Sequence, residues 1–596
     1  MKQFVSKIQQ TKWCRTLSFF LLPVYMFLCL YTVEYLNYRE LGGIFYTWGK
    51  GIGKMFFALI VFSVLSAIIL LLVRKLWIYA VTLGALTVIM GLVNCVKLSV
   101  NGDYFFPWDV TMMGNMSELV SFARFDIPPF FWLWLSLMIL MCVYFAFVNT
   151  KINISYKIAL PLIIALILPV IIFFNNPKTT EKVFLKFGMS FNDSILQSSN
   201  YRANGFTNAF TINCFALKVS APEGYSAQAI TDILENYSET KATQSPDVIV
   251  VLSEAFWDVR NLNGTTFSQN PLKNYDKIIS HDNAVSGKLY TTALGGGTVR
   301  TEFEMLTGLT VDYLINGTSP YLYIKNEIPS YVSNYKSQGY KTTAIHTYDG
   351  KFYMRNTAYP LLGFDEFISE KEIYQNYEWT GRRGYITDDT FMDVVIDTLE
   401  KNTDKPNFIF GITMENHQAY KKSNPEDIVI DVQNPSLESD VLDSVTTYTQ
   451  GVYYADLSLK KLVDYIDSRE KPTVLLFFGD HLPTLGSNQA AYKQAGNVSY
   501  PYDSTEQAYL FSTPFVIYSN YLSDYGVLEN NTDVSTYYML SLLARATNTG
   551  MTPYMNYLAD NFLEFPYYNV RLGITLDESG KEFINSMKLI TYDTIK

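Results

Sequence analysis

Five long apolar segments in the first third of the chain constrain its fold more than any other feature. They cover Leu17–Tyr35, Met55–Val73, Leu76–Val96, Phe130–Val148 and Ile158–Phe174. Each has about the ~20 residues that an α-helix needs to cross the hydrocarbon core of a bilayer. Four more segments follow the first, and no small-residue cleavage pattern does, so we interpret the first as a retained helix. The sequence therefore predicts a five-helix transmembrane domain over residues 1–175.

Basic residues between these segments predict the orientation of the domain in the membrane. Lysine and arginine are enriched on the cytoplasmic side, and here they precede the first segment and occupy the loops after the second and fourth. These residues are Lys2, Lys7, Lys12, Arg15, Arg74, Lys75, Lys151 and Lys157. With five crossings, we expect a cytoplasmic amino terminus and an extracellular location for everything after Phe174.

The rest of the chain has few features of a disulfide-stabilised or nucleic-acid-binding protein. No cysteine lies after Cys214, so the remainder has neither a disulfide nor a cysteine metal ligand. An exported domain without disulfides is typical of Gram-positive-type bacteria. The formal net charge of -10 argues against nucleic acid as a partner, because no basic groove is present. Such a charge suits a cation-dependent enzyme.

Two further regions follow the predicted transmembrane domain. Residues 176–244 are polar and irregular, and we interpret them as a juxtamembrane connector. Over residues 245–596, helical stretches alternate with apolar runs of strand length, which are Val248–Leu252, Thr342–Ile345, Asn407–Ile412 and Thr473–Phe478. Such runs are typical of buried parallel strands. The alternation predicts an α/β domain with a mostly parallel sheet, followed by a closing subdomain beyond about Pro514.

A glycine-rich loop, Gly295-Gly296-Gly297, leads into Thr298, where a helical pattern begins. Glycines let a backbone approach a ligand closely, and the amides at a helix N-terminus attract anions. Taken alone, Thr298 is either the cap of the helix or a nucleophile held beside a phosphate.

Polar side chains follow all four predicted strands. They are Ser253-Glu254 after the first, His346 after the second, Glu415-Asn416-His417 after the third and Asp480-His481 after the fourth. Ligands of open α/β sheets bind at the carboxyl ends of the strands. Four such strand ends favour the nucleophile over the cap. The remaining histidine, His281, lies in a polar stretch and is interpreted as a solvated loop residue.

Two carboxylates and an imidazole among these residues suit a metal ion. Glu254, Asp480 and His481, completed by the oxygen of Thr298, would form a four-ligand site for Mn²⁺, Mg²⁺ or Zn²⁺. Such a cation lowers the pKa of a hydroxyl and holds a phosphoryl oxygen. Thr298 would then be a competent nucleophile near neutral pH.

Three other residues are candidates for binding a phosphate group. Arg355 can present a planar fork to phosphate, although a surface salt bridge explains a lone arginine about equally well. His346 and His417 can bind or protonate a leaving oxygen.

Taken together and in order, the motifs resemble the lipoteichoic acid synthase family, a membrane-anchored, sulfatase-like branch of the alkaline phosphatase superfamily. They are Ser253-Glu254-Ala255-Phe256, Gly-Gly-Gly-Thr298-x-x-x-Glu302-Phe303, His346 with Tyr353-x-Arg355-Asn356, Asn416-His417, and Gly479-Asp480-His481-Leu482-Pro483. The resemblance covers almost the whole chain. It implies an extracellular sulfatase-like α/β domain after the five membrane helices.

The resemblance also implies a phosphoglycerol transferase. The residues that would hold one Mn²⁺-like ion are Glu254, Thr298, Asp480 and His481. Thr298 would take glycerophosphate from phosphatidylglycerol, release diacylglycerol, and pass the group to a lipoteichoic acid chain, a glycolipid or a wall polysaccharide. The residues matching positions that contact the phosphoglycerol group are His346, Arg355 and His417, with Tyr353 where the family's synthases often have tryptophan.

Three rival functions within the same superfamily are weighed against the residues. A true sulfatase matures a Cys or Ser within Cys/Ser-x-Pro-x-Arg, and Thr298-Val299-Arg300-Thr301 lacks both that residue and the proline. Phosphoethanolamine transferases share five spans and a threonine nucleophile, but their outer domains are usually disulfide-rich. A catalytically inactive sulfatase-like membrane protein would have lost ligands, whereas all four candidates are present. Phosphoethanolamine transfer is the principal alternative.

Overall fold

The computed structural model describes residues 12–44, 51–101, 104–110, 127–189, 197–216, 219, 221–315 and 318–596. Lys2 and Lys7, used above to predict the orientation, lie outside the described residues. The chain divides into two compact units. Most of the first lies before Ala221, and the second contains Ala221–Leu314 and Thr318–Lys596.

Five helices of the first unit are long and apolar enough to cross a membrane. They are α1 (Lys12–Tyr38), α2 (Ile52–Val73), α3 (Leu76–Asn101), α4 (Phe131–Val148) and α5 (Tyr156–Phe174), and the shorter α6 (Pro177–Lys186), α7 (Gln197–Asn204) and α8 (Phe206–Ala216) follow. The prediction of five apolar helices is confirmed, with ends shifted by a few residues. Pairs such as α1 with α3 and α1 with α4 pack together.

A buried carboxylate in α1 caps a later helix of the same unit. Glu34 accepts hydrogen bonds from the backbone N–H groups of Phe206 and Thr207, at 2.8 Å each. These amides open α8 and have no partner within the helix, and a negative charge is favourable there. An added Cβ at Gly205 would lie 2.6 Å from Glu34 Oε2. The glycine thus allows the carboxylate to reach the helix end.

The second unit is built on an eight-stranded sheet. Its strands in spatial order are β12 (Thr532–Ser535), β3 (Ala284–Tyr290), β11 (Ser512–Ser519), β10 (Thr473–Gly479), β1 (Asp247–Ser253), β8 (Asn407–Ile412), β4 (Lys341–His346) and β5 (Glu366–Ile368). All neighbours pair in parallel except β11, which is antiparallel to β10 and β3. Every residue of β1, β8 and β10 is buried. The predicted mostly parallel sheet is confirmed.

Two small ribbons and a set of helices complete the second unit. The ribbons pair β2 (Thr266–Phe267) with β9 (Val432–Gln433) and β6 (Gly381–Arg382) with β7 (Tyr385–Ile386). The helices are α9 (Ala227–Leu234), α10 (Lys273–Ile279), α11 (Thr298–Thr307), α12 (Tyr331–Ser337), α13 (Arg355–Leu362), α14 (Glu370–Asn376), α15 (Asp388–Lys401), α16 (Ser439–Asp467), α17 (Ala490–Gln494), α18 (Ser504–Leu510), α19 (Met539–Ala546), α20 (Pro553–Asn561) and α21 (Glu578–Ile595). Apolar side chains of α15 and α16 join those of the central strands in one buried core.

The prediction of a closing subdomain beyond about Pro514 is wrong, because this segment returns to the central sheet as β11. Proline has no N–H to donate to a sheet and usually marks an edge or the start of a strand. Pro514 pairs only with Lys288 of β3, and pairing with β10 begins at Phe515. The proline therefore interrupts no hydrogen bond with β10.

The four predicted strands lie side by side in the order β10, β1, β8, β4 and end together. Ser253 pairs with Gly479, Leu252 pairs with Ile412, and Ile412 pairs with His346. The polar residues that follow these strands are consequently delivered to one edge of the sheet.

Candidate active site

Three of the predicted metal ligands converge at this edge. The ligand atoms of Glu254, Asp480 and His481 all lie within 4.8 Å of one another, and all three residues are buried. His481 Nε2 lies 3.2 Å from Asp480 Oδ2 and 3.8 Å from Glu254 Oε1. At Gly479, an added Cβ would lie 1.9 Å from the carbonyl oxygen of Phe256. The glycine thus permits the close approach of the loop that carries Glu254.

The chemistry of these three residues fits a divalent cation. Asp480 Oδ2 and His481 Nε2 are buried, and neither has a hydrogen-bond partner among the described residues, although the two atoms lie 3.2 Å apart. A buried polar atom without a partner costs about 1–3 kcal/mol. Asp480 Oδ1 accepts from the N–H of Ala255 at 2.8 Å. His481 Nδ1 donates to the carbonyl of Leu482 at 3.0 Å, which leaves the Nε2 lone pair directed at the cluster, as in metal-binding histidines.

The glycine-rich loop has the backbone conformation that its sequence suggested. Gly295, Gly296 and Gly297 have φ angles of 65°, 140° and 89°, in the region that favours glycine. An added Cβ at Gly295 would lie 2.0 Å from Thr484 Oγ1. Gly297 is the N-cap residue, Thr298 is the first residue of α11, and no side chain caps the helix. The interpretation of Thr298 as a helix cap is therefore wrong.

Two hydrogen bonds hold the start of α11 against the segment that carries Asp480 and His481. The N–H of Gly295 donates to the carbonyl of Leu482 at 2.9 Å, and Thr301 Oγ1 donates to the carbonyl of Asp480 at 2.9 Å. Thr298 lies between these two anchors in the chain. The residue is 7% exposed, and it begins a helix whose first turn is anchored to the segment that carries two of the three clustered ligands.

Arg355 is buried and paired with Glu302, so its interpretation as a surface salt bridge is wrong. The two side chains are 1% and 0% exposed. Arg355 Nε and Nη2 donate to Glu302 Oε2 at 3.0 and 2.8 Å. The hydroxyls of Tyr321 and Tyr359 both donate to Glu302 Oε1 at 2.6 Å. Burial lowers the pKa of Arg355, but the Glu302 carboxylate together with Tyr359 and Tyr321 raises it by more, so the pKa is raised overall and the guanidinium stays charged.

His346 is bound to the same arginine. Arg355 Nη1 donates to His346 Nε2 at 3.0 Å, and the other ring nitrogen lies 3.4 Å from the carbonyl of Ile412. Burial lowers the pKa of His346 well below its ordinary value, and the guanidinium lowers it further. His346 is therefore neutral and accepts from Arg355.

A strained turn precedes Arg355. Tyr353 and Met354 have φ angles of 55° and 64°, a conformation that costs a residue with a side chain on the order of 1–3 kcal/mol. The Arg355 guanidinium carbon lies 5.3 Å from the centre of the Tyr353 ring, and the Tyr353 and Phe352 rings are 4.3 Å apart. Backbone strain of this kind concentrates at functional sites.

His417 is held by the ribbon of β6 and β7. Its Nδ1 lies 2.7 Å from the Gln418 carbonyl and 3.1 Å from the hydroxyl of Tyr385, which itself donates to that carbonyl at 3.2 Å. Arg383 Nη2 donates to the carbonyl of His417 at 2.8 Å. Burial lowers the pKa of His417 to about 4. The ring is neutral at neutral pH, with Nδ1–H donating and the lone pair on Nε2.

Glu415 is not part of the ligand cluster, although the sequence places it at a strand end. Its Oε1 accepts from Arg382 Nη1, and its Oε2 accepts from the N–H of Asp388 at 2.7 Å. This carboxylate therefore binds the ribbon and the start of α15. The predicted exposure of His281 is confirmed.

Two residues of the site had no role in the sequence-based predictions. Glu302 appeared only as a letter of a motif, but its spacing of four residues from Thr298 places both on one face of α11. Tyr385 is brought to His417 by the ribbon, and no local pattern marks it. Glu302 was therefore detectable from the sequence, whereas the position of Tyr385 required the tertiary structure.

One family model and two curated relatives match parts of the chain. Residues 246–548 match the family model described as "Sulfatase". A putative cyclic beta-1,2-glucan modification protein of Rhizobium meliloti is 33% identical over 54% of this chain and 50% of its own length. The capsular polysaccharide biosynthesis protein RkpI of the same organism is 29% identical over 41% of this chain and 42% of its own length. The chain thus spans about half the length of the curated relatives it matches.

A solved structure shows the same fold. The Streptococcus pyogenes phosphoglycerol transferase GacH, in complex with sn-glycerol-1-phosphate, superimposes with a TM-score of 0.52 at 22% identity, covering 63% of this chain and 95% of that one. This likeness concerns the fold. The family model covers half of the chain and includes the strand ends that carry Glu254 and Asp480 and the helix start at Thr298. The chain therefore belongs to the sulfatase family, with the α/β fold that its motifs implied.

Proposed function

We propose that this protein is a phosphoglycerol transferase that moves glycerophosphate from phosphatidylglycerol to a cell-envelope acceptor. The observation that carries the proposal is the convergence of Glu254, Asp480 and His481, with two orphaned ligand atoms, beside Thr298 at a helix N-terminus. The fold shared with GacH supports it. One divalent cation, held by these three residues and Thr298, is part of the proposal, with Mn²⁺ preferred over Mg²⁺ and Zn²⁺. When bound, it would lower the hydroxyl pKa and offset phosphate charge.

The chain's own residues account for the first half of the reaction. The Thr298 hydroxyl loses its proton and its oxygen forms a bond to the phosphorus of phosphatidylglycerol, and the bond from phosphorus to the diacylglycerol oxygen breaks. The amides at the start of α11 face the phosphate and stabilise its negative charge. The departing oxygen takes a proton and leaves as diacylglycerol. Glycerophosphate is then esterified to Thr298.

The second half returns the enzyme to its starting state. An acceptor hydroxyl forms a bond to phosphorus and loses its proton, the bond from phosphorus to Thr298 breaks, and Thr298 regains a proton. His417 is neutral with its lone pair on Nε2, which suits proton exchange with the entering or leaving oxygen. Arg355, His346 and Tyr353 would contact the phosphoglycerol group, and Glu302 fixes the orientation of Arg355.

The surroundings of the reaction belong to the same proposal. Residues 1–175 would form the membrane domain with a cytoplasmic amino terminus, residues 176–244 the connector, and residues 245–596 an extracellular catalytic domain beside its lipid donor. The acceptor would be a glycerophosphate polymer such as lipoteichoic acid, a glycolipid or a wall polysaccharide. The names of the two Rhizobium relatives, which concern a glucan and a capsular polysaccharide, favour a polysaccharide.

The proposal is tested with phosphatidylglycerol labelled in its glycerol headgroup and the purified full-length protein. We expect the wild-type protein and the Thr298→Ser variant to release diacylglycerol, and the Thr298→Ala variant to be inactive. Retained turnover by Thr298→Ala would contradict the nucleophile. Consumption of headgroup-labelled phosphatidylethanolamine without phosphatidylglycerol turnover would favour phosphoethanolamine transfer. Elemental analysis should find about one divalent ion per chain, and the Asp480→Asn variant should contain less.

A further inference from the structure

Two aromatic side chains on the second unit form an exposed pair at the end of the β6–β7 ribbon. Tyr374 is 46% exposed and Trp379 is 48% exposed. Their ring centres are 4.7 Å apart, with an angle of 57° between the planes. An added Cβ at Gly381 would lie 3.3 Å from Trp379 Cζ3, so the indole rests against the start of β6. The pair is held in place while much of both rings remains open to solvent.

The segment that carries this pair offers hydrogen-bonding side chains and no net charge. Gln375, Asn376 and Glu378 are exposed. Residues 370–383 contain three glutamates, one lysine and two arginines. Aromatic rings with amide and carboxylate groups nearby in the chain match a sugar, which has apolar ring faces and hydroxyl edges. A segment without excess positive charge disfavours a polyanion such as a glycerophosphate chain, and also an anionic bilayer surface.

The ribbon connects the aromatic pair to the candidate active site. Arg382 of β6 pairs with Tyr385 of β7, and the Tyr385 hydroxyl reaches His417 Nδ1. Trp379 lies three residues before Arg382, so at a rise of about 3.3 Å per residue their Cα atoms are at most about 10 Å apart. A short oligosaccharide is therefore long enough to reach from Trp379 to Tyr385, the residue that contacts His417.

We propose that Tyr374 and Trp379 form a subsite for an uncharged sugar residue of the acceptor. The sugar would stack on the indole while a hydroxyl further along the same glycan enters the site beside His417. The inference rests on the proposed transferase function and deepens it, because it selects a neutral glycan over a glycerophosphate polymer as the acceptor class. Half-exposed tryptophans are frequent anchors of binding sites.

The test compares acceptor kinetics and binding in the full-length protein. The acceptors are a neutral β-glucan oligosaccharide and a glycerol phosphate oligomer, with labelled phosphatidylglycerol as the donor. We expect Trp379→Ala to raise KM for the oligosaccharide about 10-fold or more, the effect of losing a binding anchor, with kcat unchanged. Trp379→Phe should restore most of the affinity. Release of diacylglycerol in the absence of acceptor should not change, because the proposed subsite holds the acceptor and not the donor.

Tyr500→Ala is the matched control. Tyr500 is 74% exposed and also contacts a second tyrosine, Tyr502, at 5.7 Å between ring centres. Its substitution should leave every acceptor parameter unchanged. An unaltered KM for the oligosaccharide in Trp379→Ala would overturn the subsite. A raised KM for phosphatidylglycerol in that variant, reconstituted in phosphatidylcholine vesicles and with oligosaccharide kinetics intact, would assign the pair to the membrane surface instead.

Calorimetric titration of the oligosaccharide separates this inference from the proposed function. Binding that weakens about 10-fold or more in Trp379→Ala supports the subsite even if the wild-type protein fails to use phosphatidylglycerol. Absence of oligosaccharide binding in a protein that does release diacylglycerol refutes the subsite and leaves the transferase proposal standing.

Discussion

Replacing Glu302 with glutamine should lower the stability of the second unit and lower transfer activity by more than the lost stability explains. The carboxylate is 0% exposed and receives Arg355 Nε and Nη2 as well as the hydroxyls of Tyr321 and Tyr359. Glutamine keeps the shape and can still accept from Arg355. It removes the negative charge, and the arginine is then a buried cation without a counter-charge.

The expected destabilisation follows from that loss. Breaking a buried ion pair by neutralising one partner costs about 3–5 kcal/mol. For a unit of about 370 residues, the unfolding entropy near the midpoint is roughly 0.8 kcal/mol per kelvin. The midpoint of thermal unfolding should therefore fall by about 4–6 °C in Glu302→Gln. Transfer activity should fall further than stability accounts for, because Arg355 and His346 lose their orientation.

The assay is thermal unfolding of the full-length protein in detergent, followed by intrinsic fluorescence, alongside diacylglycerol release at a temperature where both proteins are folded. Glu578→Gln is the control, since its ion pair with Lys581 has side chains 92% and 59% exposed and surface pairs contribute at most about 1 kcal/mol. If Glu302→Gln unfolds within about 1 °C of the wild-type protein, the largest shift that a surface pair would give, the reasoning about a buried pair fails.

Three further outcomes are expected. Burial and Asp312 raise the pKa of Glu304 from 4.5 to about 8, so between these values the folded state keeps a proton that the unfolded chain has lost. The free energy of unfolding should therefore fall as pH rises through that window, by up to about 1.4 kcal/mol per pH unit. Glu304→Gln should reduce the difference between the thermal midpoints measured at pH 6 and pH 8, and an unchanged difference would contradict this role of Glu304. Gly295 has a φ of 65°, and a Cβ there would lie 2.0 Å from Thr484 Oγ1. Gly295→Ala should therefore lower the free energy of unfolding by more than about 2 kcal/mol and abolish transfer. Gly496 has a φ of 70° but open space around it, so chemical denaturation of Gly496→Ala should show a loss of only about 1–2 kcal/mol. Tyr385→Phe removes the hydroxyl bonded beside His417 and should lower kcat about 10-fold with KM for phosphatidylglycerol unchanged, each lost hydrogen bond being worth about 0.5–1.5 kcal/mol; an unchanged kcat would show that the hydroxyl has no positioning role.

Local patterns predicted the parts of the fold that depend on local physics. Apolar length alone identifies the membrane-length helices, because a helix must span a fixed hydrocarbon thickness. Continuous apolar runs identified β1, β4, β8 and β10, since strands buried on both faces have no polar alternation. The segment that forms β11 was misassigned, because its proline is tolerated only through the particular register with β3 and β10.

For the site, the sequence by itself determined which chemistry the strand ends carry. Glu254, Asp480 and His481 follow parallel strands, and adjacent parallel strands end at one edge, so their convergence was predictable. Only the tertiary structure decided how the side chains divide their roles. Glu415 pairs with Arg382, and Arg355 pairs with Glu302. Both pairs join segments that are far apart in the chain, because the pairing of buried charges depends on which elements pack against each other.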